Sequence, residues 1–352
     1  MLLFRVIILI SLLSAPVLAK DPVSPAIEVG SEFAATDTLA CGTDAREDAQ
    51  QCLAGLAWSP GEFNVQCEAA EPGYGDWLVR FPSPRPTGNA TNDLVSMEWF
   101  AAREKDGTIR TAPAMVVVHE SGRDMTVGRL IARGLSAQGL HAFLLHLPGY
   151  GPRRVEGVSD IERTLPALQQ GIADVRRARD AVVALPEVDD SVVGLQGTSL
   201  GGFVAATVAG LDRGYDRVFI LLAGGNVHDV VLKGARDAAK VREKLFAAGV
   251  TEDQIIELSR HVEPLRLAHR MNPAGTWVYS AKYDDVVLPE NTLALVQAAK
   301  LAPEHHIELS ADHYSGAVYL PKVMQQIYRQ MIEPLEESAA TEATSAAGPV
   351  DN

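Results

Sequence analysis

Five residues, Gly197-Thr198-Ser199-Leu200-Gly201, carry the first recognisable chemistry in this sequence. The spacing G-x-S-x-G is that of a serine held on a sharp turn between a strand and a helix, with its hydroxyl lifted into a cleft. The glycines have a steric task, because side chains beside such a turn would collide with the neighbouring strand and helix. The flanks agree: Ser191-Val192-Val193-Gly194-Leu195-Gln196 is a short apolar strand-like segment, and Gly202 to Ala209 reads as a helix of small residues. A serine hydroxyl is a weak nucleophile until a base removes its proton and a third group orients that base. Suitable groups lie downstream. Asp284 and Asp285 follow the apolar run Trp277-Val278-Tyr279-Ser280, and His313 follows the next strand-like run in Ser310-Ala311-Asp312-His313-Tyr314. The serine, an acid and the histidine thus each fall at the end of a predicted strand.

The elements that must position them alternate in type. Strands are expected at Ala114 to Val118, Leu140 to Leu147, Val218 to Ala223, Gly275 to Ser280 and His306 to Ser310, with helices at Thr126 to Gln138, Leu165 to Leu185, Leu293 to Leu301 and Val318 to Met331. Buried apolar strands alternating with helices indicate an α/β fold with a mostly parallel sheet covered on both faces, and ligands in such sheets sit at the carboxyl ends of the strands. Leu78 to Phe81 and Leu94 to Phe100 read as an antiparallel hairpin at the sheet edge. The stretch 226–272 is helical in pattern throughout and reads as a helical cap inserted between two strands, while 76–334 forms one domain. Residues 20–75, rich in Pro, Gly, Ala and acids, read as a loosely structured extension, and 335–352 as a disordered tail.

In this order of motifs, from about Ala112 to Met331, the sequence resembles the α/β-hydrolase superfamily, in particular its dienelactone-hydrolase and acyl-esterase branch. The resemblance implies a doubly covered parallel sheet and a Ser-Asp-His triad made of Ser199, Asp284 and His313. Members carry a Gly-x-x-Asp turn before two apolar residues and proline. Here Ala281 stands in place of the glycine, which makes Asp284 the acid, with Asp285 as its rival. An oxyanion formed on acyl transfer needs two preorganised donors. The resemblance implies the backbone N–H of Leu200 and, after Glu120 in Val117-Val118-His119-Glu120-Ser121-Gly122, that of Ser121, with Gly122 as the other choice. His119 reads as a hydrogen bonder that fixes this loop. Leu147 to Arg154 resembles a pocket-bordering loop, though its Pro and Gly content also suits a plain turn.

Composition removes other classes of function. A formal charge of -14 with scattered acids argues against a polyanion-binding surface, so nucleic acid is not an expected partner. No histidine stands in a metal-ligand spacing such as H-E-x-x-H, so neither a metal nor another cofactor is called for. Arg5, the apolar run Val6 to Leu13 and the small residues before Lys20 read as a secretory signal peptide, 1–19, cut after Ala19, with an uncleaved anchor as the alternative. No stable membrane span is expected after processing, and the destination would be periplasmic or extracellular. Cys41, Cys52 and Cys67 are the only cysteines, and export would allow one disulfide among them with three pairings open. The expected activity is hydrolysis of a small carboxylic ester or other acyl substrate. A peptidase, thioesterase or lactonase on the same site is the chemical alternative, and a non-catalytic binding protein on a hydrolase fold is the alternative of another class.

Overall fold

The computed structural model describes residues 27–155 and 164–346, with side chains from 334 onward left aside. The expected signal peptide and residues 347–352 lie outside the described residues. In chain order the elements are β1 (Glu32–Thr36), α1 (Glu47–Leu56), β2 (Glu62–Ala69), β3 (Trp77–Pro82), the short α2 (Ala90–Asp93), β4 (Leu94–Phe100), β5 (Ala112–Val118), α3 (Thr126–Gln138) and β6 (His141–Leu145). They continue with α4 (Thr164–Val183), β7 (Val188–Thr198), α5 (Leu200–Ala209), β8 (Arg217–Leu221), α6 (Val227–Lys233), α7 (Arg236–Ala247), α8 (Glu252–Arg260), α9 (Pro264–Leu267), β9 (Thr276–Ala281), α10 (Pro289–Ala298), β10 (His306–Leu309) and α11 (Leu320–Ala346).

Among the described residues ten strands form one sheet in the order β1-β2-β3-β4-β6-β5-β7-β8-β9-β10. The pairs from β1 to β6 are antiparallel, and those from β6 through β5 to β10 are parallel. Every residue of β5 is buried, as expected of a strand covered on both faces. Alternate residues serve the two cores. Ala114, Val116 and Val118 pack with α4 and α5, whereas Met115 and Val117 pack with α3 and α11. Among the described residues no helix is long and apolar enough to cross a membrane.

The expected loose extension at 20–75 is corrected where it is described. β1 and β2 extend the sheet, and α1 buries Ala49, Cys52, Leu53 and Leu56 in the main core. The missed signal was the period of two in Phe63-Asn64-Val65-Gln66-Cys67, whose odd members are buried. Charged contacts tie the segment to α4 as well. The Arg177 guanidinium on α4 grips the Asp37 carboxylate through Nε (2.8 Å) and a terminal nitrogen (2.5 Å), and Asp180 accepts from the Thr38 N–H (2.8 Å) and hydroxyl (2.6 Å). The hairpin of β3 and β4 therefore lies inside the sheet, not at its edge. All three cysteines are free thiols, with Cys52 and Cys67 buried on separate elements. Burial pushes the Cys67 thiol up to about 11 and that of Cys52 to about 12, so both stay protonated and inert at neutral pH. At the other end, α11 continues to Ala346, past the expected start of the disordered tail at 335. Ala and Glu, both strong helix formers, dominate that stretch.

Candidate active site

β7 delivers Ser199 to the carboxyl end of the sheet, where the backbone turns through φ 51 and ψ -114 at the serine before α5 begins. Positive φ at a non-glycine residue is strained and must be held by its surroundings. Here the approach of backbones holds it. A β-carbon at Gly197 would lie 2.1 Å from the Gly201 carbonyl oxygen, and one at Gly201 would lie 2.2 Å from that of Val118. Backbone bonds close the turn: the Ser199 N–H donates to the Leu221 carbonyl (2.8 Å) and the Gly201 N–H to that of His119 (3.1 Å).

Two further loops converge on the serine. Asp284, after β9, is buried, and its Oδ1 accepts from the backbone N–H groups of Val286 (2.9 Å) and Val287 (2.9 Å). Its Oδ2 lies 2.7 Å from Nδ1 of His313, which follows β10. A carboxylate only accepts, so Nδ1 carries the proton and Nε2 is left as an acceptor. That Nε2 lies 3.1 Å from Ser199 Oγ. The structure thus brings Ser199, His313 and Asp284 into one hydrogen-bonded chain. Asp285, the rival acid, turns away to accept from Arg236 Nε (2.9 Å).

The loop after β5 stands beside the serine. Ser121 and Leu200 both line the cavity that holds Ser199 and His313. Neither backbone N–H donates to a protein acceptor among the described residues. Glu120 is occupied elsewhere, since its carboxylate accepts from the N–H groups of Val127 (2.9 Å) and Gly128 (3.0 Å) and so caps the start of α3. His119 ties two loops together. Its Nδ1 donates to the Glu120 carbonyl (2.6 Å) and its Nε2 accepts from the Leu147 N–H (3.1 Å). Burial depresses its pKa to about 3, so the ring is neutral and structural.

The cavity measures about 1430 Å³ and lies between the sheet ends and the helices α6 and α7. Its walls are largely apolar: Ile172, Phe203 and Val204 from the body face Val230, Val241 and Leu245 from the cap helices. Leu147, Pro148, Gly149 and Tyr150 border it as well, so that loop is more than a turn. Sequence reasoning missed Arg153 in the same loop. It is fully buried, with a nitrogen 2.7 Å from Asp174 and others donating to the carbonyls of Asn92 (2.8 Å) and His146 (2.9 Å). It also missed Arg236, Asp237 and Tyr314, because nothing in linear spacing marks a cap residue as the neighbour of two loops far from it in the chain.

Comparison with known proteins bears on the fold. No family model matches the sequence, and no curated protein does. Solved structures do match. An acetyl xylan esterase from Paenibacillus sp. R4 aligns with a TM-score of 0.57 at 16% identity over 83% of this chain and 96% of that one. Acetyl Xylan Esterase 1 from Thermoanaerobacterium sp. JW/SL YS485 aligns at 0.54 with 16% identity over 84% and 96%. The α/β hydrolase GrgF from Penicillium sp. sh18 aligns at 0.51 with 14% identity over 68% and 95%. The chain has the α/β-hydrolase fold.

Proposed function

We propose that this protein is a serine hydrolase that cleaves carboxylic esters through an acyl-enzyme. The observation that carries the reading is the continuous hydrogen-bonded chain from Ser199 Oγ through His313 to Asp284 at the wall of a large cavity. In this mechanism His313 Nε2 takes the hydroxyl proton as Oγ attacks the acyl carbon, and Asp284 holds the ring in the correct tautomer and stabilises the imidazolium. The N–H groups of Leu200 and Ser121 receive the oxyanion. His313 then returns its proton to the departing alkoxide, and a water deprotonated by the same nitrogen hydrolyses the acyl-enzyme.

Two of the aligned structures bear the name acetyl xylan esterase, which supports an ester as substrate. The cavity supports a larger one, since about 300–1,000 Å³ suffices for a drug-sized ligand. A largely apolar space of about 1430 Å³, with Arg154, Asp237 and Lys240 also on its wall, suits an ester with a bulky hydrophobic acyl or alcohol part. Export through the N-terminal segment, with cleavage after Ala19, belongs to the same proposal, and the mass of the mature chain tests it.

Ser199→Ala and His313→Ala should each abolish hydrolysis of p-nitrophenyl esters while far-UV circular dichroism stays unchanged. Full activity in either would overturn the mechanism. Labelling of Ser199 by a fluorophosphonate separates this reading from a non-catalytic binding protein. A screen across acyl length, acetylated sugars, thioesters, lactones and peptides defines the substrate.

A further inference from the structure

The start of α7 touches both of the loops that bring the acid and the base to Ser199. Arg236 Nε donates to Asp285 Oδ2 (2.9 Å), and the Arg236 guanidinium lies 5.0 Å from the centre of the Tyr314 ring. The Tyr314 hydroxyl donates to Asp237 Oδ2 (2.7 Å). Asp285 and Tyr314 are the chain neighbours of Asp284 and His313. The backbone joins the same contact, for the Ala235 N–H donates to the Asp285 carbonyl (2.7 Å). At Gly234 the approach is so close that a β-carbon would lie 2.4 Å from the Val286 carbonyl oxygen.

Three further observations give this contact a purpose beyond packing. Arg236 holds φ at 50, a left-handed conformation that is strained for a non-glycine residue and is kept only where the surroundings hold it. The Tyr314 hydroxyl, pushed up to about 12 by burial and by Asp237, remains a donor across the whole working pH range. Finally, Ala238, Val241 and Leu245 on the same helix line the cavity, and Arg242 locks α7 to α6 by donating to the carbonyls of Leu232 (2.9 Å) and Gly234 (3.0 Å). One end of α7 therefore meets the acid and base loops, and its inner face meets the space a substrate would fill.

We propose that Arg236, Asp237 and Tyr314 are positioning residues, tying α7 to the loops of Asp284 and His313 so that the alignment of acid and base depends on where the cap helices sit. The proposal rests on reading Ser199, His313 and Asp284 as the reacting chain. A substrate bulky enough to press on α7 then bears on both loops through the tie, and a small ester that leaves the cap untouched reacts from the arrangement the tie alone maintains.

The test compares the full-length mature protein with Arg236→Ala, Arg236→Lys and Tyr314→Phe, the last keeping the ring and losing only the hydroxyl. The expected result is a fall in kcat of about 10–100-fold for Arg236→Ala on a short p-nitrophenyl ester, with KM changed little. Arg236→Lys should restore part of it, because lysine keeps the charge beside Asp285 but not the guanidinium geometry that meets both Asp285 and the Tyr314 ring. Hydrogen–deuterium exchange should rise in residues 282–288 and 311–316 of the Arg236→Ala and Tyr314→Phe proteins, while the central strands stay protected. Unchanged exchange in those loops overturns the tie. Raised exchange with unchanged kcat overturns positioning and leaves a packing contact, and a rise in KM alone assigns Arg236 to substrate binding instead. Fluorophosphonate labelling of the unaltered protein tests the hydrolase reading by itself. Should that fail, positioning falls with it, and the exchange result still decides whether the tie orders the two loops.

Discussion

Asp284 and Asp285 are adjacent and carry the same group, yet they face different partners. Asp284 is buried, with one oxygen on two backbone N–H groups and the other on His313, while Asp285 pairs with Arg236 toward the surface. The two isosteric amides should therefore separate them. Asp284→Asn is expected to cut kcat by about 10³–10⁴-fold, because an amide on Nδ1 no longer selects the tautomer that leaves Nε2 free to accept. Asp285→Asn loses one partly exposed ion pair and should cost at most about a hundredfold through misplacement of the loop. Measured kcat values for p-nitrophenyl ester hydrolysis check the order, and equal losses would mean that the acid is misassigned.

Among the elements, the turn between β7 and α5 is the tightest piece of the fold. Gly201 runs against the Val118 carbonyl with no room for a methyl group, so Gly201→Ala must push the turn away from β5. The expected outcome is loss of fluorophosphonate labelling together with a lowered Tm, and labelling at the normal rate would contradict the crowding. The N-terminal strands are held by a different force. Asp37 and Arg177 form a buried, doubly bonded ion pair, and removing one partner strands a charge. Asp37→Ala is expected to destabilise by about 3–5 kcal/mol. The exposed pair of Arg260 and Glu257 should lose less than about 1 kcal/mol on Glu257→Ala, and urea unfolding of the two variants measures the contrast.

For the molecule as a whole, acid sensitivity follows from buried imidazoles. Desolvation pushes His119 down to about 3 and His141 to about 4, and it lowers His146 as well. Their unfolded value is about 6.5, so below that pH the unfolded chain binds more protons than the folded one, and folding stability falls as the solution is acidified. The slope is at most about 1.4 kcal/mol per pH unit for each histidine, and it persists until the folded values are reached. Unfolding midpoints in guanidinium should therefore drop between about pH 6.5 and pH 5, before ordinary carboxylates titrate. A flat midpoint across that interval would contradict neutral burial of these rings.

Local pattern alone determined much of this protein. Helical spacing gave α3 its limits at Thr126 and Gln138, apolar runs marked the parallel strands, and glycine spacing placed the turn at Ser199. The order of serine, acid and histidine was legible for the same reason, since each follows a strand whose own residues announce it. The segment 20–75 misled because its strands lie among Pro and Gly, and their burial comes from α4 and from Asp37 meeting Arg177, 140 positions away. The turn register already pointed to Asp284, whereas the pairing of Asp285 with Arg236, the commitment of Glu120 to the start of α3 and the contact of Arg236 with Tyr314 were decided only in three dimensions. Each depends on which way a side chain turns once distant loops meet, and sequence spacing records the neighbours along the chain but not those across space.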